Sequence, residues 1–129
     1  MKLRILALAG AAILTASTAA WADDPMANTY GNTVMTKDHA TGATGSLMFN
    51  QDNTYMAKAT DAKGQPVSYG GTWALKDGGA TICLTANLPA GSPGAGTSCT
   101  PLQKHNVGDT WTVTNDHNET YDVSLTAGR

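Results

Sequence analysis

The chain has 129 residues, ten acids against eight lysines and arginines, and a formal charge of −2; it is long enough for one domain and too short for two. Its cations are scattered rather than gathered in a stripe, which excludes a nucleic-acid surface built on counterion release. No basic amphipathic helix is present to lie on a membrane.

Lys2 and Arg4 precede an apolar run over residues 5–15, then the small residues 16–20 and the small-x-small triplet Ala20-Trp21-Ala22. This is the pattern of a cleaved signal peptide over residues 1–22, with a mature domain over 23–129 that begins in a short flexible arm bearing Met26. The apolar run falls short of the roughly 20 residues a membrane span needs. No cysteine lies near the cut for a lipid anchor, and no twin-arginine pair is present. The expectation is a periplasmic or secreted protein. Its mature part carries six cations and ten acids, a formal charge of −4.

From there the chain reads as strands throughout: Thr, Val and Tyr punctuated by Gly, Asn and Asp, with no helical apolar stripe. A first strand is expected over residues 30–36. In residues 47–57 a three-residue loop, Gln51-Asp52-Asn53, with Asn53 in the left-handed region, opposes Phe49 to Tyr55, Met48 to Met56 and Leu47 to Ala57. A strand follows over residues 65–69. A two-residue turn at Asp77-Gly78 opposes Trp73 to Ile82 and Leu75 to Ala80. A strand is expected over residues 99–104. Near the end, Asp116-His117-Asn118 repeats the three-residue device, pairing Val113 with Tyr121 and Trp111 with Val123, and the last strand runs to Thr126. Each register gathers its apolar residues on one face. The fold class is all-β: a small antiparallel meander of about eight short strands, forming a barrel or a sandwich. The expected core is Tyr30, Val34, Leu47, Phe49, Tyr55, Val67, Tyr69, Trp73, Leu75, Ile82, Leu84, Trp111, Val113, Tyr121, Val123 and Leu125.

Cys83 and Cys99 are the two cysteines. An even pair in an exported chain reads as a disulfide, and without Cys-x-x-Cys spacing nothing marks it as redox-active. Alternation puts Cys83 on the face away from Ile82 and Leu84, so the bridge is expected on the outer face or rim, pinning a Gly- and Pro-rich loop. Closing a loop of that size stabilises by about 3 kcal/mol in the chain-entropy model.

The segments Asn32-Thr33-Val34, residues 49–55, Gly71-Thr72-Trp73, Cys83-Leu84-Thr85, residues 108–113 and the terminal residues 125–129 resemble small secreted β-rich proteins of alphaproteobacteria, especially sphingomonads. That resemblance implies a fold and a compartment, and no activity. A fainter likeness to lipocalin-like barrels rests on a Gly-x-Trp, which those barrels carry on the first strand and this chain carries mid-chain.

Catalytic signals are weak. No serine lies in a nucleophile elbow, and no carboxylate pair sits in an apolar pocket that would raise one pKa, so the chain is expected not to be an enzyme. His39, His105 and His117 lie in connectors without metal-ligand spacing. Met48 and Met56 oppose each other on the face away from Phe49 and Tyr55; with Met35 and His39 they make a candidate soft-metal site for copper. Otherwise no cofactor is expected. The loop over residues 86–97, with Asn87, Leu88, Pro89, Ser92 and Pro93, is the candidate recognition surface, because constrained loops on rigid β scaffolds carry binding. The functional expectation is therefore an exported, non-catalytic binding module that recognises a protein, envelope glycan or small ligand. A copper-handling protein and a hydrolase inhibitor are the alternatives, and the chain is a monomer or an edge-paired dimer.

Overall fold

The computed structural model describes residues 24–129 apart from Ala62 and Pro93, so the expected signal peptide lies outside the described residues. Eight strands form a single antiparallel sheet: β1 (Thr33–Asp38), β2 (Thr44–Phe49), β3 (Thr54–Thr60), β4 (Pro66–Lys76), β5 (Thr81–Ala86), β6 (Gly96–Pro101), β7 (Thr110–Thr114) and β8 (Thr120–Thr126). The order is β6-β5-β4-β3-β2-β1-β8-β7, so every strand pairs with its sequence neighbours except β6 and β7, while β8 closes back on β1. The result is a nearly closed up-and-down barrel with one seam, between β6 and β7. Curling the sheet removes most of the unpaired edge that a flat meander would present.

The first and last hairpins have the expected registers. Phe49 opposes Tyr55 and Met48 opposes Met56, with Asn53 at φ 68°. Val113 opposes Tyr121 and Trp111 opposes Val123, with Asn118 at φ 62°. Both turns are built alike: Asn50 and Asn115 each receive a backbone N–H from the Asn three residues on, and donate their own to Thr54 and Glu119. The middle hairpin differs. A single turn of 3-10 helix at Asp77–Gly79 lengthens the loop, so Trp73 opposes Leu84 and Leu75 opposes Ile82. Three successive residues with positive φ, Asp77, Gly78 and Gly79, need more chain than a two-residue turn holds. Because the slip is by two residues, Ile82 and Leu84 still face inward.

Met26, expected on a mobile arm, is instead the most deeply buried side chain, at 1% exposure. The segment before β1 folds into turns (Thr29 N–H donates to Met26 C=O at 2.9 Å), so the strand expected from Tyr30 begins only at Thr33. This turn plugs one end of the barrel, where Met26 joins Phe49, Trp73, Ile82 and Leu125. Trp73 lies 6.2 Å from Tyr30 and 6.3 Å from Phe49, ring to ring, and its Nε1–H donates to Asn50 C=O at 3.0 Å. Arg129 adds bonds to Asn50 Oδ1 and to Phe49 C=O.

Two expected core residues are not in it: Val67 is 38% exposed and Leu75 36%. Both point inward by alternation, but β4 is the longest strand, with 11 residues, and carries them to opposite rims. The strand expected over residues 99–104 lies earlier, because β5 begins only after the turn at Asp77–Gly79, and Ala80 C=O, which accepts from Leu102 N–H at 2.8 Å, is the last partner it offers.

The disulfide Cys83–Cys99 joins directly paired residues of β5 and β6, with Cα atoms 4.0 Å apart. It lies on the outward side of the alternation, yet Cys83 is only 5% exposed, so the bridge is set into the wall rather than hung from the rim. Thr85 and Thr97 share a hydroxyl hydrogen bond at 2.8 Å one step along the same pair of strands.

Candidate functional site: a phenol-lined cavity in the barrel

Large side chains close the plugged end. Towards the other end many inward positions are small, Gly45 on β2, Ala57 and Ala59 on β3, Ala86 on β5, Gly96 and Ser98 on β6, and they stand among the larger Tyr69, Val113 and Tyr121. An eight-stranded barrel is just wide enough for side chains to fill, so small residues at inward positions leave it hollow. The space they leave is a cavity of about 510 Å³. That lies within the range of small-molecule sites, and its walls are mainly aliphatic and aromatic.

Three tyrosines face into it. Tyr55 on β3 is 3% exposed, and its ring stands edge-on to that of Tyr69 on β4 at 6.5 Å; Tyr121 on β8 lines the opposite wall. Tyr55 reaches its place because its cross-strand partner is Gly71: a Cβ there would meet Tyr55 Cε1 at 2.6 Å and Cζ at 2.7 Å. Among the described residues none of the three hydroxyls has a protein hydrogen-bond partner, which is unusual for a phenol as buried as Tyr55. Burial pushes the Tyr55 phenol up to about 12, with Tyr69 adding to the effect. Tyr69 is raised by burial, and Tyr121 by burial first, then by Glu119, Asp38 and Tyr69. All three are therefore neutral hydrogen-bond donors throughout the physiological range.

The cavity runs to the seam, since Thr100 and Leu102 on one side of it and Trp111 and Val113 on the other all line the space. The turn after β7 fastens one end of that seam. Asp116 N–H donates to Cys99 C=O and Asp116 Oδ1 accepts from Cys99 N–H, both at 3.0 Å, and His117 Nε2 meets Thr97 C=O at 3.0 Å. Hydrogen bonding to that carbonyl, then the charge of Asp116, raises the His117 pKa. Asn115, the buried polar residue of this turn, is satisfied: Oδ1 accepts from His117 and Glu119 N–H, and Nδ2 donates to Glu119 Oε1. Towards the other end, side chains span the seam, with His105 stacked on Trp111 at 3.5 Å and 6° between planes.

The residues singled out in the sequence fall in two places. Met48 and Met56 are opposed on the outer face, and Met35, opposite Ser46, lies diagonally across from Met48. His39 does not join them: it follows the far end of β1, about 13 Å along the strand from Met35, with Nε2 on Asp122 Oδ1 at 2.7 Å. That bond, helped by Thr112, holds the Asp122 carboxyl below the usual range. The His39 and Asp122 pair is exposed on the outer side of the wall. Among the described residues no group of three or more His, Cys, Asp or Glu side chains is placed to hold a metal ion.

The tethered loop has a clearer position. It joins β5 to β6 at the hollow end, and residues 94–97 line the cavity. Asn87 N–H donates to Gly70 C=O, and turns close on Pro89 and Ser92. Leu88 and Ser92 are half-buried, Asn87 and Pro89 are exposed, and Pro93 lies outside the described residues. The three phenols were expected only as core. A signal for the cavity was nevertheless present, since the inward positions of the same registers include Gly45, Ala57, Ala59 and Ala86, too small to fill a barrel.

No family model, curated protein or solved structure matches this chain.

Proposed function

We propose that this protein is an exported, non-catalytic binding module that takes a small, largely apolar molecule into the barrel. The observation that carries this is the cavity of about 510 Å³ lined by Tyr55, Tyr69 and Tyr121. A natural core packs to crystal-like density with few voids larger than a water molecule. The hollow opens to solvent, the form of a small-molecule site rather than of a closed core. The tethered loop keeps its recognition role as the rim of the cavity, and the seam between β6 and β7 supplies a route in. The disulfide fits an oxidising compartment, in keeping with a periplasmic or secreted location.

The test is titration with N-phenyl-1-naphthylamine, a fluorophore that brightens on leaving water. Saturable brightening at one probe per chain is expected, and Ala59→Leu, a half-buried wall position that intrudes on the hollow, should weaken it while the fold is retained. A folded protein that leaves the probe dark would overturn the proposal and return the search to protein or glycan partners of the tethered loop.

A further inference from the structure

Resting on that cavity, we infer that the ligand is a neutral, mostly apolar molecule carrying a carbonyl or similar oxygen, and that Tyr55, Tyr69 and Tyr121 are the residues that recognise that oxygen. Shape gives the apolar part. The walls presented by Val34, Leu47, Leu84, Trp111, Val113 and Val123 make no polar demand on a ligand. The oxygen follows from the phenols. Tyr55 is 97% buried within a wall of the cavity, and no described protein group accepts from its hydroxyl. Leaving such a group unpaired costs about 1–3 kcal/mol, and a ligand acceptor removes that penalty on binding.

Neutrality follows from the charges that face the space. Lys58 borders it through its backbone, whose C=O lies against Gly45, while its side chain alternates outward with Met56. Glu119 stands at the rim beside Asn115 and would repel an anion. His117, also at the rim, has its Nε2 engaged by Thr97 C=O, and His105 is stacked on Trp111 near Asp109, 3.8 Å away. Among the described residues no lysine or arginine side chain points inward to pair a carboxylate, and burying a charge without a partner is strongly unfavourable. Phenols suit a neutral acceptor: they donate without carrying charge, and their hydroxyls turn to meet it.

Three probes on one ring system separate the terms: 2-ethylnaphthalene, 2-acetylnaphthalene and 2-naphthoate, each competing with N-phenyl-1-naphthylamine at pH 7.5. The acetyl compound should bind about tenfold more tightly than the ethyl compound, the worth of one or two hydrogen bonds. The naphthoate should bind at least tenfold more weakly than the acetyl compound. Combining Tyr55→Phe, Tyr69→Phe and Tyr121→Phe keeps every ring and should bring the acetyl and ethyl affinities together; the single change Tyr69→Phe should already narrow the gap, should the triple variant not fold. Equal binding of acetyl and ethyl compounds to the unaltered protein overturns the inference while leaving the cavity function standing. Tightest binding by naphthoate overturns neutrality. If N-phenyl-1-naphthylamine itself does not bind, the cavity function fails, and the ligand class with it.

Discussion

Gly70 and Gly71 are neighbours on β4 with opposite duties, and replacing each with alanine separates them. A Cβ on Gly71 would lie 2.3 Å from Thr85 C=O and 2.6 Å and 2.7 Å from two ring atoms of Tyr55. The Thr85 carbonyl is backbone in the ladder where Thr72 opposes Thr85, and the Tyr55 ring is 3% exposed, so neither yields easily. Overpacking of this kind costs typically 1–3 kcal/mol and sometimes more; contacts this close to backbone put Gly71→Ala at about 3 kcal/mol. A Cβ on Gly70 faces outward, and its nearest neighbours, Met56 Sδ and Tyr55 C=O, are both at an ordinary 3.4 Å. Reduced freedom in the unfolded chain then makes Gly70→Ala neutral, or stabilising by up to about 1 kcal/mol. In urea, with a denaturant slope of about 2 kcal/mol per molar, the Gly71→Ala midpoint should fall by roughly 1.5 M while that of Gly70→Ala holds or rises. Trimming Tyr55 to Leu in the Gly71→Ala background should not restore the midpoint, because the nearest clash is with backbone. Equal midpoints for the two alanine variants would refute the assigned facing of β4 and the seating of Tyr55.

Further outcomes follow from the wall and its charges. Replacing Cys83 and Cys99 together by Ala opens a link across 16 positions and should lower unfolding free energy by about 3 kcal/mol, read by urea denaturation beside the oxidised parent. His117 has a raised pKa in the folded state, so its contribution to stability is fully present below pH 6.5 and is lost as pH climbs through the raised value; the melting-temperature gap between the parent and His117→Gln should be wider at pH 5.5 than at pH 8.5, and a constant gap would remove the seam contact. Asp122 has the opposite sign: its lowered pKa gives stability that is present above pH 3.8 and fades as pH falls through the lowered value, so Asp122→Asn should melt below the parent at neutral pH and converge with it in acid. Met48→Ser with Met56→Ser lies outside the barrel and should leave naphthylamine binding unchanged; a loss would place the site on the outer face.

Period-two alternation and turn chemistry, both local, are written directly in the chain. They set the all-β class, the two hairpins closed by Asn53 and Asn118, and the face each residue takes, which survived even the two-residue slip at Asp77–Gly79. The pairing of Cys83 with Cys99 was legible because two cysteines allow one partner each. What local pattern could not decide was closure. Whether β8 turns back onto β1 depends on contacts between residues about 90 positions apart, which no sequence window contains. Curling the sheet gave the inward faces their meaning: at one end Met26 and Trp73 join the same packed cluster, and at the other the small residues Gly45, Ala59 and Ala86 line a hollow. Tyr55, Tyr69 and Tyr121 belong to three strands, of which β8 adjoins neither β3 nor β4, and become one site only when the barrel closes. An inward-facing tyrosine looks the same in sequence whether its hydroxyl meets packed carbon or a hollow, because the difference lies in the volume left by side chains from other strands.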